Sequence, residues 1–196
     1  MNVKSNSARL IFAALLALPI AASADNFSYR YADVARFPQA EIDADGLDVD
    51  GEGLQLRGSL PFYENFFAIA EYQALDLDNG VDTTRFLIGA GGHWPLGTNL
   101  DLVARAGVAS YEVDFGAFDD DDTGLFAGVR VRTVIAPKIE LEGGVEHQSA
   151  EVAGLDADTY LIGEGRYNFT PNWSAGAIIT LGGDTSVIGA QGRYSF

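Results

Sequence analysis

Residues 124–148 read "GLFAGVRVRTVIAPKIELEGGVEHQ" and change character at every second position. Leu125, Ala127, Val129 and Val131 fall on one side, with Gly124, Gly128, Arg130 and Arg132 on the other. Past "VIAPK" the pattern resumes, with Ile139, Leu141 and Val145 opposite Glu140, Glu142 and Glu146. Side chains that alternate with period two belong to a β-strand. A tight turn at Pro137 would place Arg132 opposite Glu140 and Arg130 opposite Glu142. One face of this hairpin is therefore wholly apolar. The other mixes glycine with long, oppositely charged side chains.

The same alternation recurs along the chain. Leu54, Leu56 and Leu60 oppose Gln55, Arg57 and Ser59, while Phe86, Ile88, Ala90 and Trp94 oppose Arg85, Gly89, Gly91 and His93. Leu100, Leu102, Ala104, Ala106 and Val108 oppose Asp101, Arg105 and Gly107. Alternating segments of about ten residues are the pattern of a transmembrane barrel strand. In a soluble sandwich the charged face would meet water. Here Arg57, Arg85, Arg105, Arg130, Arg132, Arg166 and Arg193 share their face with glycines and small residues, which fits a narrow lumen. Charges in such an interior must be paired, and a planar guanidinium can hold a carboxylate through two bonds. Glu71, Asp101, Glu140, Glu142, Glu146 and Glu164 are the expected partners.

Breaks divide the chain into about ten strands, with eight as the alternative. Pro61, Pro95, Pro137 and Pro171 mark four short turns, and five acidic stretches, the first being "FPQAEIDADGLDVDGE" at 37–52, are expected as external loops. Short turns at one end and longer loops at the other are the layout of an outer-membrane barrel, both chain termini being periplasmic. Phe66, Phe67, Trp94, Tyr167, Phe169 and Trp173 stand beside the turns, where an aromatic girdle would meet the lipid boundary. In "NFSYRYADVARF" either Tyr29 and Tyr31 or Arg30 and Val34 could face inward.

Residues 1–24 have Lys4 and Arg9 ahead of a short apolar run and an Ala22-Ser23-Ala24 site, the form of a cleaved secretory leader. The expected mature domain is 25–196. Its ten cations against 28 acids leave a formal net charge of −18, which argues against a nucleic acid partner. No cysteine is present, so disulfides do not hold the fold.

The "SYRYADV" start, the "DAD" before "GRYNFTPNW" and the terminal aromatic resemble the small outer-membrane β-barrel family of the Ax twenty-one type, and more loosely the OmpX and OmpA barrels. That resemblance implies outer-membrane residence, with envelope integrity, adhesion or host interaction as broad roles. The last strand, with Tyr194 and Phe196 on one side and Arg193 on the other, resembles the signal read by the barrel assembly machinery. The expected surroundings are a lipid bilayer and lipopolysaccharide, around a monomer with no cofactor.

Two other readings attach to particular residues. His147 and Ser149, two apart on the apolar face, are similar to the dyad of lipid A deacylases of the PagL type, although Ala150 stands where an asparagine is expected. An omptin-like protease would need a D-x-H that this chain lacks beside its Asp76 and Asp78. Asp43, Asp45, Asp48 and Asp50 could supply oxygen ligands to calcium, but without EF-hand spacing they read as a solvated loop. A small pore is a third possibility, opposed by the number of lumen charges.

Overall fold

A computed structural model describes residues 27–44, 47–114, 116, 119–151, 157–182 and 185–196. Ten antiparallel strands form one closed barrel: β1 Tyr31–Ala44, β2 Leu47–Tyr63, β3 Phe66–Leu77, β4 Val81–Gly97, β5 Leu100–Asp114, β6 Asp119–Ala136, β7 Ile139–Gln148, β8 Asp158–Asn168, β9 Trp173–Leu181 and β10 Thr185–Ser195. Each strand pairs with its chain neighbours, and β1 pairs with β10 from Tyr31↔Ser195 to Ile42↔Thr185, which closes the ring. Closure leaves no strand edge inside the bilayer, where an unpaired backbone group could find no water.

The faces follow the alternation. Leu125, Val129, Val131, Ile88 and Val145 point outward and are exposed to the lipid side, while Arg130, Arg132, Asp101, Arg105 and Glu146 are buried within. Trp94, Phe169 and Trp173 are exposed beside the short turns, as the girdle requires, but Phe67 is buried. It lies on the inner face of β3 with Ile69 and Glu71, so only Phe66 of that pair faces lipid. The first strand turns Tyr29, Tyr31 and Asp33 inward and Val34 outward.

Three expectations are corrected. Pro61 and Pro95 sit inside the ladders, opposite Phe67 and Asp101, and the turns fall two or three residues later, after a register shift in each strand. A bulge beside each proline accommodates its missing N–H. The stretch 37–52 is almost entirely strand, with β1 running to Ala44 and β2 starting at Leu47. Asp119–Asp122 likewise open β6 and pair with Asp114, Val113, Glu112 and Tyr111, in order from Asp119 to Asp122 against descending numbers. The long walls of β1 to β6 thus carry their acids above the apolar belt on paired backbone. Finally, Arg132 stands opposite Glu142 and Arg130 opposite Gly144, because a bulge at Val134/Ala136 shifts the register.

Glycine fits where an inner side chain needs room. A Cβ on Gly107 would lie 2.2 Å from the Ile88 carbonyl oxygen and 2.7 Å from the Phe126 ring, and one on Gly89 would lie 2.8 Å from that ring. Phe126, fully buried, fills the space that the two glycines leave.

Candidate functional site

The lumen is the most highly organised part of the molecule. Among the described residues six arginines and six acids are buried in it, and the half-buried Arg85 and Glu142 add one of each sign. The lumen therefore holds seven guanidinium groups and seven carboxylates. Every acid expected from the alternation is present there, and Asp33 joins them.

Strand register puts these groups at successive heights. Nearest the turn end, Arg132 donates from Nε to Glu140 Oε1 at 2.8 Å and from Nη1 to the Ser28 carbonyl at 3.0 Å. Arg166 bridges Glu140 and Glu164, and Arg193 donates to Asp33 at 2.7 Å. At mid-height Arg57 spans two acids, with Nη1 to Glu164 Oε1 at 2.6 Å and Nη2 to Asp33 Oδ2 at 2.9 Å. Higher still, Arg105 holds Glu71 through Nη1 and Glu146 through Nε, both at 2.6 Å. Arg130 reaches Glu142, Glu146 and Glu164 only at 3.3–3.4 Å. Glu164 is the hub, with Arg57, Arg130 and Arg166 all bonded to it.

Below this network the start of the chain fills the turn end of the barrel. Phe27 and Tyr29 are buried, the Arg132 guanidinium lies 4.9 Å from the centroid of each ring, and Tyr29 stacks on His93 at 3.9 Å. The Tyr29 hydroxyl donates to Asp101 Oδ2 at 2.9 Å, and His93 Nδ1 lies 3.4 Å from the same oxygen. His93 is therefore part of an aromatic plug. Sequence reading left the orientation of Tyr29 open, because the neighbouring Arg30 weakened the polarity signal at the start of the barrel.

His147 and Ser149 are both exposed on the outer face, but they engage different neighbours. His147 Nδ1 lies 3.1 Å from Thr159 Oγ1 on β8, whereas Ser149 Oγ accepts the Leu125 N–H of β6 at 2.8 Å. No hydrogen bond joins the two among the described residues. Of the calcium candidates, Asp50 is exposed at the start of β2, while Asp45 and the side chains of Asp43 and Asp48 lie outside the described residues. No group of three or more His, Cys, Asp or Glu side chains is placed to hold a metal among the described residues. Tyr194 packs against Trp173 and Phe196 on the outer face, with ring centroids 4.8 and 5.8 Å away. The Phe196 amide donates to the Arg30 carbonyl across the β1–β10 seam.

An even-stranded, closed antiparallel barrel with an apolar exterior, an aromatic girdle and a charge-filled lumen defines a transmembrane β-barrel of the outer-membrane class. The profile of the outer membrane protein beta-barrel domain matches residues 10–165, and this chain belongs to that family. A search of curated proteins by sequence found no match. Among solved structures it is similar to the β domain of the Bordetella autotransporter BrkA, with a TM-score of 0.59 and 11% identity over 85% of this chain and 100% of that one. It is also similar to an outer membrane channel from Pseudomonas putida F1, with a TM-score of 0.54 and 11% identity over 91% and 100%. The translocator domain of autotransporter NalP from Neisseria meningitidis scores 0.51 at 12% identity, over 96% of each chain. At such identities the likeness concerns the fold.

Proposed function

We propose that the protein is a non-conducting outer-membrane barrel with a structural and interactive role, exerted by its acidic external surface in envelope integrity, adhesion or host contact. The observation that carries this reading is the partition of charge. The lumen network is neutral, so the surplus of acids lies outside it. Glu52, Asp76, Asp82, Asp114 and Asp119 are directly paired across the five adjacent strands β2 to β6, and all five are exposed on the outward face. Like charges directly opposite one another destabilise a sheet. A barrel selected only for stability would avoid such a row, so its presence favours recognition.

In this reading the leader 1–24 is removed, the four short turns and both termini are periplasmic, and the acidic rim is external at the level of the lipopolysaccharide headgroups. Tyr194 and Phe196 serve recognition by the assembly machinery, and the barrel works as a monomer. Membership of the Ax twenty-one type rests on the stretches "SYRYADV" and "GRYNFTPNW".

The test replaces the five carboxylates of the row by asparagine or glutamine in a strain lacking the native protein. The variant should assemble to normal membrane levels and fail to restore surface attachment or detergent resistance; full restoration would refute the reading. In a planar bilayer the native protein should give no nanosiemens steps, and such steps would favour a pore. The lipid A acylation profile should be the same with and without the protein. A change abolished by His147→Ala would favour the hydrolase instead.

A further inference from the structure

The upper half of the lumen holds a cavity of about 80 Å³. At roughly 10–15 Å³ per water it holds about six waters, or one solute of about six heavy atoms. Its charged lining is unbalanced. Arg57, Arg85, Arg105 and Arg130 border it, but only Glu71 and Glu146 do so among the acids. The network as a whole is neutral, yet this chamber sees a surplus of guanidinium.

Two of those arginines make only long ion pairs, although Arg85 also hydrogen-bonds Tyr111. Arg85 meets Glu71 at 3.4 Å, and Arg130 meets its three acids at 3.3–3.4 Å. The Nε atoms of both are buried without a hydrogen-bond partner among the described residues. Two acceptors at the same cavity are in the same condition, Gln55 Oε1 and Gln148 Oε1. Gln148 is 3% exposed, and its Nε2 donates to Glu146 Oε1 at 3.0 Å, which fixes the free oxygen of the amide. Buried polar atoms left unmatched are costly, so four at one cavity mark a site that is complete only when filled.

The unmatched set specifies its occupant. Two guanidinium N–H groups call for a carboxylate, and two amide oxygens lining the same cavity call for a donor. The acidic loop end repels a simple anion, whereas a solute with no net charge enters freely. We propose that this cavity binds a compact zwitterionic α-amino acid of glycine or alanine size, its carboxylate toward Arg85 and Arg130 and its ammonium toward Gln55 and Gln148.

The full-length barrel, folded in detergent micelles, would be titrated calorimetrically and by saturation-transfer NMR with alanine, acetate and ethanolamine. Alanine should bind at least tenfold more tightly than acetate, and ethanolamine should not bind. Arg85→Gln should weaken alanine at least tenfold, and Gln148→Leu should erase the preference over acetate. Thr180→Phe, which fills the cavity without removing a charge, should abolish binding in a folded barrel and tests the site even where the charge variants fail to fold. Equal binding of acetate or ethanolamine, no binding of alanine, or undiminished binding by Thr180→Phe would overturn the proposal.

Discussion

Glu164→Gln isolates what the lumen network contributes. Glu164 is 4% exposed and accepts two bonds from Arg57 at 2.6 and 2.9 Å, one from Arg130 at 3.3 Å, one from Arg166 and one from Gln191 Nε2 at 3.3 Å. The amide removes one negative charge from a balanced set and turns an N–H₂ toward guanidinium donors. Breaking a buried ion pair by removing one partner costs about 3–5 kcal/mol, because the remaining charge is left uncompensated. At 1.4 kcal/mol per decade, a loss near 4 kcal/mol lowers the folding equilibrium by about three decades. The control is Arg36→Gln, which breaks the Arg36–Glu52 pair at 2.8 Å, whose side chains are 71% and 59% exposed. Exposed pairs contribute about 0–1 kcal/mol. Urea unfolding in lipid vesicles, followed by the fluorescence of Trp94 and Trp173, measures both. Because Arg166 bonds the same carboxylate, the double variant with Arg166→Gln should cost less than the sum of the two singles. A Glu164→Gln cost below about 1 kcal/mol, comparable to the Arg36 control, would refute the claim that these charges hold the barrel together.

Other perturbations probe other parts. Tyr29→Phe should destabilise by about 1–3 kcal/mol in the same unfolding assay, since Asp101 loses a buried hydroxyl donor while the stacking on His93 remains. Phe126→Ala should cost about 3–5 kcal/mol, because Gly89 and Gly107 offer nothing to fill the space. At the loop end, above the apolar belt, Asp122 accepts the Glu151 amide at 2.8 Å, and this bond with that of the Thr123 amide holds its carboxyl below the usual aspartate value of 3.8. A lowered folded pKa means that the clasp is fully present above 3.8 and is lost as pH falls through the depressed value. Hydrogen exchange at the Glu151 amide should therefore show added opening only in that acid window, and Asp122→Asn should abolish the pH dependence.

Beyond β1, which side of a strand faces the lumen was legible because alternation survives errors of register. Arg132 was expected opposite Glu140 and lies opposite Glu142, a slip of two, and a slip of two leaves every side chain on its face. The long arginine then reaches Glu140 diagonally, at 2.8 Å. Asp33 escaped notice because tyrosines and an arginine alternate at the start of β1 and neither face is apolar. The height of the walls was not legible either. Acids have low strand propensity, so "DDDD" and "DADGLDVD" read as loops. The extended form of their described residues depends on partners in the neighbouring strand, as with Asp114↔Asp119 and Glu41↔Asp50, which no local pattern reveals.

The two sets of acids obey opposite rules, and this separates scaffold from function. Inside, the carboxylates lie among guanidinium groups or, for Asp101, against Tyr29 and His93, so truncating either sign is expected to read out as lost stability. On the outer rim, carboxylate faces carboxylate across four successive strand pairs, from Glu52↔Asp76 to Asp114↔Asp119, so truncating Asp76, Asp82, Asp114 or Asp119 relieves repulsion, while Glu52 is also paired with Arg36. Neutralising the rim should therefore stabilise the barrel, or leave it unchanged, while impairing its role at the surface. A substitution that removes activity without lowering stability is the signature of a residue kept for recognition. In this barrel such residues are expected on the outward face of β2 to β6, and not in the ion-pair column of the lumen.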